Sequence, residues 1–246
     1  MDNLPAQLAQ RKRENLYRTR QVIDGPHGVE VNIGGCRYLS FCSNDYLGLA
    51  NHPDIVAAFH RGLDEYGAGS GAAHLITGHS REHHALEEEL ADFVQRPRAL
   101  LFSTGYMANL GIMSALTGRD DRIFEDRLNH ASLLDGARLA DARLVRYTHC
   151  DPDALEQAMS SAPPGDYLVA TDGVFSMDGD SAPLQQLAAV AQRHAAWLLV
   201  DDAHGLGVVG PGGRGSIAAA GLGLPEVPVL MGTLGKALGT FGAFVA

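Results

Sequence analysis

The order of apolar and polar positions predicts the fold of most of the chain. From Ala99 to Ala246, short apolar segments of strand length alternate with segments whose apolar residues recur at helical spacing. The predicted strands are, in order, ALLF, RIFE, RLVRY, YLVAT, AWLLV, VPVLMG and GAFVA. Because helices between successive strands imply crossover connections, these strands should pair mainly in parallel. The pattern therefore predicts an α/β fold with a mostly parallel sheet covered by helices on both faces.

The first fifty residues follow a different pattern. A polar, basic helix is predicted at the start, and GVEVNIGGCRYLSF then predicts a small β-hairpin that turns at Gly34-Gly35. We therefore expect residues 1–50 to form an N-terminal helix and hairpin segment, and residues 51–246 to form one large α/β domain.

Composition and charge limit the classes of function. The chain has 246 residues, of which 46% are apolar, so it can bury a large core. Its formal net charge of -10 argues against nucleic acid as a partner, because such binding needs a basic surface. The sequence contains no apolar run of about 18 residues and no apolar N-terminal segment typical of a secretory signal. A cytoplasmic location without membrane insertion is the resulting expectation.

Residue spacing predicts no metal site. The three cysteines include no CxxC pair, which argues against both a zinc site and a disulfide framework. His79 and His83 have helical i,i+4 spacing, but they lack the companion glutamate of a zinc protease helix. We therefore expect no bound metal.

Polar residues follow the apolar run LLVDDAHG, where a buried strand alone would not need them. Asp201 is the last residue of the predicted strand, and His204 lies three residues further on. Because side chains alternate along a strand, Asp201 can point into a cleft while Asp202 points the other way. Ligands of α/β proteins bind at the carboxyl ends of parallel strands, so Asp201 and His204 are candidate site residues.

Three further strand ends carry candidate groups. LLFSTGYMANLG begins a helix immediately after a strand, and such a helix start can bind phosphate, although Thr104 could simply cap the helix. GVFSMDGDSAPL places Ser176 in a turn with two aspartates, and DRLNHASLLDG places His130 before a helix. For Ser176 and His130 an ordinary turn or capping role stays open.

The basic residues include one unusual lysine. The chain has only two lysines, and Lys236 lies among glycines in GTLGKALGTFG, whereas Lys12 lies in the basic N-terminal segment. The segment is not a phosphate-binding P-loop, because Leu230 and Ala237 occupy positions that need glycine and Ser or Thr. GLGVVG formally fits the dinucleotide fingerprint, but no helix start follows it directly, so a dehydrogenase remains a weaker alternative.

Together these groups are the parts of a pyridoxal phosphate (PLP) site. A lysine surrounded by glycines can bind the cofactor covalently, and a helix start can bind its phosphate. A carboxylate such as Asp201 can keep the pyridine nitrogen protonated, so that the ring accepts electrons. The residues therefore predict a PLP-dependent enzyme.

Several motifs carry a resemblance to one enzyme family. They are, in order, FCSNDYLGLA, HALEEELADF, LNHASLLDGARL, GVFSMDGDSAPL, LLVDDAHGLGVVGPGGRGS and GTLGKALGTFGAF. With them the chain resembles the α-oxoamine synthases, which are fold type I PLP enzymes, over its whole length. DDAHG, GRGS and MDGDSAPL are most similar to the biotin-pathway member, with the 5-aminolevulinate, 2-amino-3-ketobutyrate and serine palmitoyl members as alternatives.

The resemblance implies a reaction and a quaternary structure. The expected reaction is the decarboxylative condensation of L-alanine with a pimeloyl thioester, carried on CoA or on a carrier protein, by a homodimer with shared active sites. Family members continue into a C-terminal small domain, which is expected to be absent from this chain. A truncated fragment that binds cofactor without catalysis is therefore a further alternative.

The resemblance also implies roles for individual residues. The expected catalytic residues are Lys236, which binds PLP covalently, Asp201, which pairs with the pyridine nitrogen, and His130, which stacks on the ring. The expected cofactor-binding residues are Gly105, Tyr106, Ser176, Asp201, His204, Thr233 and Lys236. The expected substrate-binding residues are Arg18, Asn44 and His130, with Arg20 as an alternative to Arg18.

Overall fold

The computed structural model describes residues 3–246, and the chain divides after Ser43 into two compact units. The smaller unit contains helix α1 (Leu4–Arg13) and a hairpin of strands β1 (Glu30–Ile33) and β2 (Cys36–Leu39). Gly34 and Gly35 turn the hairpin with φ angles of +57° and +78°, in the left-handed region that a two-residue turn requires. The predicted hairpin is confirmed. Residues 44–50, which the sequence analysis grouped with this segment, belong to the larger unit.

The larger unit alternates helices and strands as the sequence predicts. Its first two helices are α2 (Pro53–Tyr66) and α3 (Arg81–Phe93), with a single π-helical turn, His74–Gly78, between them. The remaining elements are β3 (Leu100–Phe102), α4 (Gly105–Leu116), β4 (Arg122–Asp126), α5 (Ala131–Leu139), β5 (Arg143–Tyr147), α6 (Pro152–Ser160), β6 (Tyr167–Asp172), α7 (Leu184–Arg193), β7 (Trp197–Asp201), α8 (Ser216–Ala219), β8 (Val229–Thr233) and β9 (Ala243–Val245).

Seven strands form one sheet in the order β3-β9-β8-β7-β6-β4-β5. Strands β4 to β8 pair with one another in parallel, whereas β9 runs antiparallel to both β3 and β8. Strand β9 reverses direction because only a short loop without a helix joins it to β8, and a parallel crossover needs a longer connection. The prediction of a mostly parallel sheet is confirmed.

The central strands are buried on both faces of the sheet. Leu198 on β7 belongs to one apolar cluster and the next residue, Leu199, belongs to another. Helix α7 packs on the first face through Leu187, while α4 and α5 pack on the second through Met113 and Leu133. Such two-sided burial explains why the strands are almost continuously apolar rather than alternating. Within residues 3–246, no helix combines the length and the apolar character needed to cross a membrane.

An ionisable side chain is buried in the central part of the sheet. Glu125 on β4 has a fully buried side chain, at 0% exposure. Burial raises the pKa of Glu125 to about 7, although the charge of Arg146 opposes the shift. The carboxyl group is therefore protonated in the folded chain at a pH where it is ionised in the unfolded chain.

We expect Glu125→Gln to change how stability depends on pH. The free energy of unfolding of the wild-type chain should fall as pH rises from about 4.5, the ordinary pKa of a glutamate, to about 7, its value in the fold. Gln has the same shape and no charge, so it removes this loss. Thermal unfolding at pH 5 and pH 8 should show the variant gaining more over wild type at pH 8. An equal gain at both pH values would contradict a shifted Glu125.

Candidate active site

A cavity of about 210 Å³ lies at the carboxyl end of the parallel strands. Strands β6, β7 and β8 end at Asp172, Asp201 and Thr233, and each of these residues lines the cavity. The loop after β8 adds Lys236, and α4 adds Gly105, its first residue. The structure thus brings chemistry-bearing residues together at the edge of the sheet where α/β proteins bind ligands.

Most residues predicted from the sequence line this cavity. They are Gly105, Tyr106, His130, Ser176, Asp201, His204, Thr233 and Lys236. Asn44 is exposed and is connected to the cavity-lining His204 through Tyr46. Arg18 and its alternative Arg20 are exposed residues of the smaller unit, and their substrate role stays a prediction.

The cavity also contains residues that sequence reasoning missed, namely Asn109, Ser132, Asp172, Ala203 and Met231. Two of them carried a usable signal. Asp172 ends a buried strand in the same way as Asp201, and Asn109 is the one amide in the mostly apolar helix segment GYMANLGIMSAL. Ser132, Ala203 and Met231 have no such signal, because small and apolar residues are ordinary at their positions.

The two adjacent aspartates of DDAHG have different environments. Asp201 accepts hydrogen bonds from Nδ2 of Asn109 at 2.7 Å and from the backbone N–H of Ala203 at 3.0 Å. Asp202 instead accepts from the backbone N–H of Ser216 at 2.7 Å. Burial raises the pKa of Asp201, and it raises the pKa of Asp202 to about 6. Asp201 lines the cavity, whereas Asp202 fastens the start of α8.

Asp172 lies beside Asp201 because β6 and β7 pair in parallel with these two residues in register. Residues in register on parallel strands point to the same face of the sheet. Oδ2 of Asp172 accepts a hydrogen bond from the backbone N–H of His130 at 2.8 Å. Burial, and then the charge of Asp201, raise the pKa of Asp172 to about 8. The cavity therefore contains two carboxyl groups that need a nearby positive charge to be ionised together.

Lys236 begins a chain of hydrogen bonds with a defined direction. Its Nζ lies 2.8 Å from Nε2 of His204, whose Nδ1 lies 2.6 Å from the hydroxyl of Tyr46. The Tyr46 hydroxyl donates its one proton to Oδ1 of Asn44 at 3.2 Å. A protonated Lys236 has only donors, so Nε2 of the neutral His204 accepts from it and Nδ1–H is left for the Tyr46 hydroxyl.

Burial controls the protonation of Lys236 and His204. Burial lowers the pKa of Lys236, and the charges of Asp201 and Asp172 oppose the shift. Burial and the charge of Lys236 lower the pKa of His204 to about 4, so that its ring is neutral at pH 7. Desolvation of Lys236 thus brings its amine closer to the nucleophilic, neutral form.

His130 is held by a second chain with a defined direction. Nδ2 of Asn109 lies 2.8 Å from Oγ of Ser132, and this Oγ lies 2.7 Å from Nδ1 of His130. The backbone N–H of Ser132 also donates to Nδ1, at 3.3 Å. Since Ser132 Oγ accepts from Asn109, its proton goes to Nδ1. The neutral His130 therefore carries its proton on Nε2 and offers a donor.

The turn that carries Ser176 is fastened from outside the cavity. His149 lies between two carboxylates, with Nδ1 at 2.8 Å from Oδ1 of Asp126 and Nε2 at 2.8 Å from Oδ2 of Asp180. Asp126 also accepts from the backbone N–H of Leu128, in the loop that leads to His130. Asp180 is thus a structural residue of the turn, the role that ordinary turn chemistry predicts for it.

We expect Ser132→Ala to weaken the preference of the neutral His130 ring for the tautomer that is protonated on Nε2. The substitution removes the hydroxyl donor to Nδ1 and leaves only the longer backbone bond. Nitrogen-15 correlation spectra, recorded well above the ordinary histidine pKa of about 6.5, should show the wild-type ring protonated on Nε2 and the variant as a mixture. The His130 signal is identified by its loss in His130→Gln, and Ser114→Ala, an exposed serine on α4, is the matched control. A wild-type ring protonated on Nδ1 would contradict the assigned direction.

Comparison with known proteins agrees with this geometry. Residues 37–246 match the family Aminotransferase class I and II. The chain is 66% identical to the 8-amino-7-oxononanoate synthase of Nitrosococcus oceani, over 98% of this chain and 64% of the relative. It is 64% identical to that of Methylococcus capsulatus, over 97% of this chain and 62% of the relative. The chain thus spans less than two thirds of the length of these curated relatives.

Solved structures share the fold. The serine palmitoyltransferase of Sphingomonas wittichii matches with a TM-score of 0.92 and 36% identity, over 100% of this chain and 62% of that chain. The 8-amino-7-oxononanoate synthase of Francisella tularensis matches with a TM-score of 0.72 and 36% identity, over 84% of this chain and 57% of that chain. A serine palmitoyltransferase solved with PLP matches with a TM-score of 0.91. The chain belongs to the aminotransferase class I and II family, has the fold of the type I PLP transferases and has 8-amino-7-oxononanoate synthases as its curated relatives.

Proposed function

We propose that this chain forms the cofactor-binding part of a PLP-dependent enzyme that condenses L-alanine with a pimeloyl thioester. The products would be 8-amino-7-oxononanoate, CO2 and the free thiol, a step of biotin biosynthesis. The observation that carries the proposal is the placement of Lys236, whose Nζ lies 2.8 Å from the neutral His204 in a cavity that Asp172 and Asp201 also line. The names of the relatives support the substrates, and a cytoplasmic homodimer remains part of the proposal.

The residues of the cavity fit PLP chemically. The first turn of α4 offers backbone N–H groups to a phosphate, since Thr104 Oγ1 takes up only that of Met107, at 3.2 Å. At Gly105 an added Cβ would lie 3.3 Å from Cε of Met231, another cavity-lining residue, whose side chain would have to shift by a few tenths of an ångström. The paired carboxyl groups of Asp172 and Asp201 have raised pKa values and can be ionised by a protonated pyridine nitrogen.

When bound, PLP supplies an aldehyde that reacts with an amine and a pyridine ring that withdraws electrons from the reacting carbon. Lys236 supplies the amine, and its lowered pKa makes the neutral form more accessible. Nε2 of His204 accepts a hydrogen bond from Lys236, because the ring proton is on Nδ1 and is directed to the Tyr46 hydroxyl. The same amine would be the base that takes a proton from the α-carbon of alanine.

The remaining residues bind and orient. Asp201 supplies the negative charge that keeps a ring nitrogen protonated, and Asn109 fixes the orientation of its carboxylate. His130 offers Nε2–H, which suits a substrate carboxylate or a thioester carbonyl. Arg18 and Asn44 are the proposed contacts to substrate, and Ser176, Tyr106 and Thr233 are proposed contacts to the cofactor.

The dehydrogenase alternative is less compatible with the structure. The GLGVVG segment is folded back on itself, because the N–H of Gly207 bonds the carbonyl of Gly213 at 2.7 Å and the N–H of Gly215 bonds that of Val209 at 2.9 Å. The next α-helix, α8, already directs the N–H of Ser216 to Asp202. A dinucleotide pyrophosphate needs a free helix start at this place, so the geometry favours PLP.

Synthase activity can be tested by supplying the part of the relatives that this chain does not span. The chain alone and the chain joined to the C-terminal part of the Nitrosococcus oceani relative should be assayed with L-alanine and pimeloyl-CoA. We expect the joined protein to form 8-amino-7-oxononanoate. Glycine and L-serine in place of alanine test the other α-oxoamine synthase activities. Turnover with either of them, and none with alanine, would overturn the proposed substrate.

We expect PLP to attach to Lys236. Incubation of the chain with PLP should give a yellow protein, and borohydride should make the attachment irreversible on one peptide containing GTLGKALG, as peptide mass spectrometry can show. Lys236→Ala should lose the covalent attachment, because Lys12 lies in an exposed part of the smaller unit. Lys12→Ala is the matched control and should behave like wild type. An adduct on Lys12 would refute the assignment.

We expect Asp201→Asn and Asp202→Asn to differ strongly in the joined protein. Asp201→Asn keeps the shape of the side chain but removes the charge that holds a ring proton, so kcat should fall by about 10² or more. Asp202→Asn keeps an acceptor for Ser216 N–H outside the cavity and should lower kcat far less. Steady-state kinetics of the two variants give the comparison. Equal losses would show that the assignment of Asp201 to the cofactor is wrong.

A further inference from the structure

A cluster of histidines surrounds the start of α3, away from the cavity described above. His79 lies just before the helix, and His84 and Glu87 lie on its first turns. Nε2 of His79 and Nδ1 of His84 are 3.4 Å apart, and ligand atoms of the three residues all lie within 4.8 Å of one another. In tetrahedral zinc sites, Zn–N distances of about 2.0–2.1 Å place two ligand nitrogens roughly 3.4 Å apart. The two imidazoles therefore already have the separation that one metal ion requires.

Each of these three groups has an outer partner that orients it. Nδ1 of His79 lies 2.8 Å from Nε2 of His74, in the π-helical turn. Nε2 of His84 lies 3.4 Å from Oε1 of Glu88, and Oε1 of Glu87 accepts the backbone N–H of Leu101 at 3.0 Å. Outer partners of this kind hold the single proton of a neutral imidazole on the nitrogen that faces away from a metal.

We propose that His79, His84 and Glu87 form a binding site for a divalent first-row transition metal such as Zn²⁺. Two imidazoles and one carboxylate suit zinc, cobalt or nickel, whereas calcium and magnesium prefer sites built from oxygen alone. The metal replaces the contact between His79 and His84, and water takes the fourth position. The bound ion joins the segment before Ser80 to the helix after it.

A second group of possible ligands is far less suited to a metal. Asp126, His149 and Cys150 also lie close together. Both ring nitrogens of His149 are engaged by carboxylates, and both oxygens of Asp126 accept hydrogen bonds. Burial raises the pKa of the Cys150 thiol to about 12, so the thiolate that a metal binds is scarce. The groups of this second cluster are already bonded to one another, whereas a single contact of 3.4 Å joins Nε2 of His79 to Nδ1 of His84.

The sequence alone pairs His79 with the wrong histidine. His83 has the i,i+4 spacing to His79, but in the structure Nδ1 of His83 accepts the N–H of Ser80 at 3.1 Å and completes the cap of α3. His84, one residue later, is the group whose nitrogen meets that of His79. This difference between neighbouring histidines gives the site a matched control.

The test is metal binding by the full chain, expressed without a histidine tag and stripped of metal with a chelator. Zn²⁺ affinity is measured by calorimetry, and Co²⁺ serves as a spectroscopic probe because tetrahedral cobalt absorbs visible light strongly. We expect one Zn²⁺ per chain, a visible cobalt spectrum and a higher melting temperature with Zn²⁺. His79→Ala and His84→Gln should each weaken binding by more than about 10-fold.

His83→Gln is the matched control, because glutamine at this position can still take part in a capping box. It should change Zn²⁺ affinity by less than about 3-fold, well below the loss expected for a ligand. Circular dichroism without metal should be the same for all variants, since His79 and His84 are exposed. The proposal is overturned if the chain binds no stoichiometric Zn²⁺, or if His83→Gln weakens binding as much as His84→Gln.

Discussion

The burial of two carboxyl groups side by side governs the chemistry of the cavity. Asp172 and Asp201 are register partners at the ends of β6 and β7, so parallel pairing itself places them on one face of the sheet. Burial raises the pKa of both groups, because ionising a buried carboxyl group costs free energy unless a positive charge lies nearby. The cavity therefore favours a cation. Lys236 provides one from the chain, and the protonated pyridine nitrogen of the proposed cofactor would provide another.

The two histidines that line the cavity are fixed in opposite tautomers. Ser132 donates to Nδ1 of His130, which leaves Nε2–H as a donor. Tyr46 accepts from Nδ1–H of His204, which leaves Nε2 as an acceptor beside Lys236. One imidazole can thus donate to an anionic oxygen while the other accepts a hydrogen bond from an amine. The pKa of His204 is lowered to about 4, so its ring stays neutral near pH 7. Its role as a hydrogen-bond acceptor therefore does not change with pH in that range.

Packing outside the cavity keeps these groups in place. Helix α4 packs on one face of the sheet through Met113, and its buried Asn109 connects Asp201 to Ser132. On the other side, His149 fastens the turn of Ser176 to the end of β4 through two carboxylates. The cavity is therefore supported by hydrogen bonds between elements that are distant in the sequence. Such support reduces the reorganisation needed when a charged ligand binds.

The sequence by itself determined the alternation of strands and helices, the mostly parallel sheet and the residues at strand ends, because periodicity and turn chemistry are local properties. It also located Lys236 and Asp201 through their unusual neighbours. Only the tertiary structure decided that Asp172 lies beside Asp201, that Asn109 and Ser132 orient His130, and that His79 meets His84 rather than His83. These contacts depend on strand register and on the rotation of helices against the sheet, which packing of the whole core determines and a local pattern does not encode.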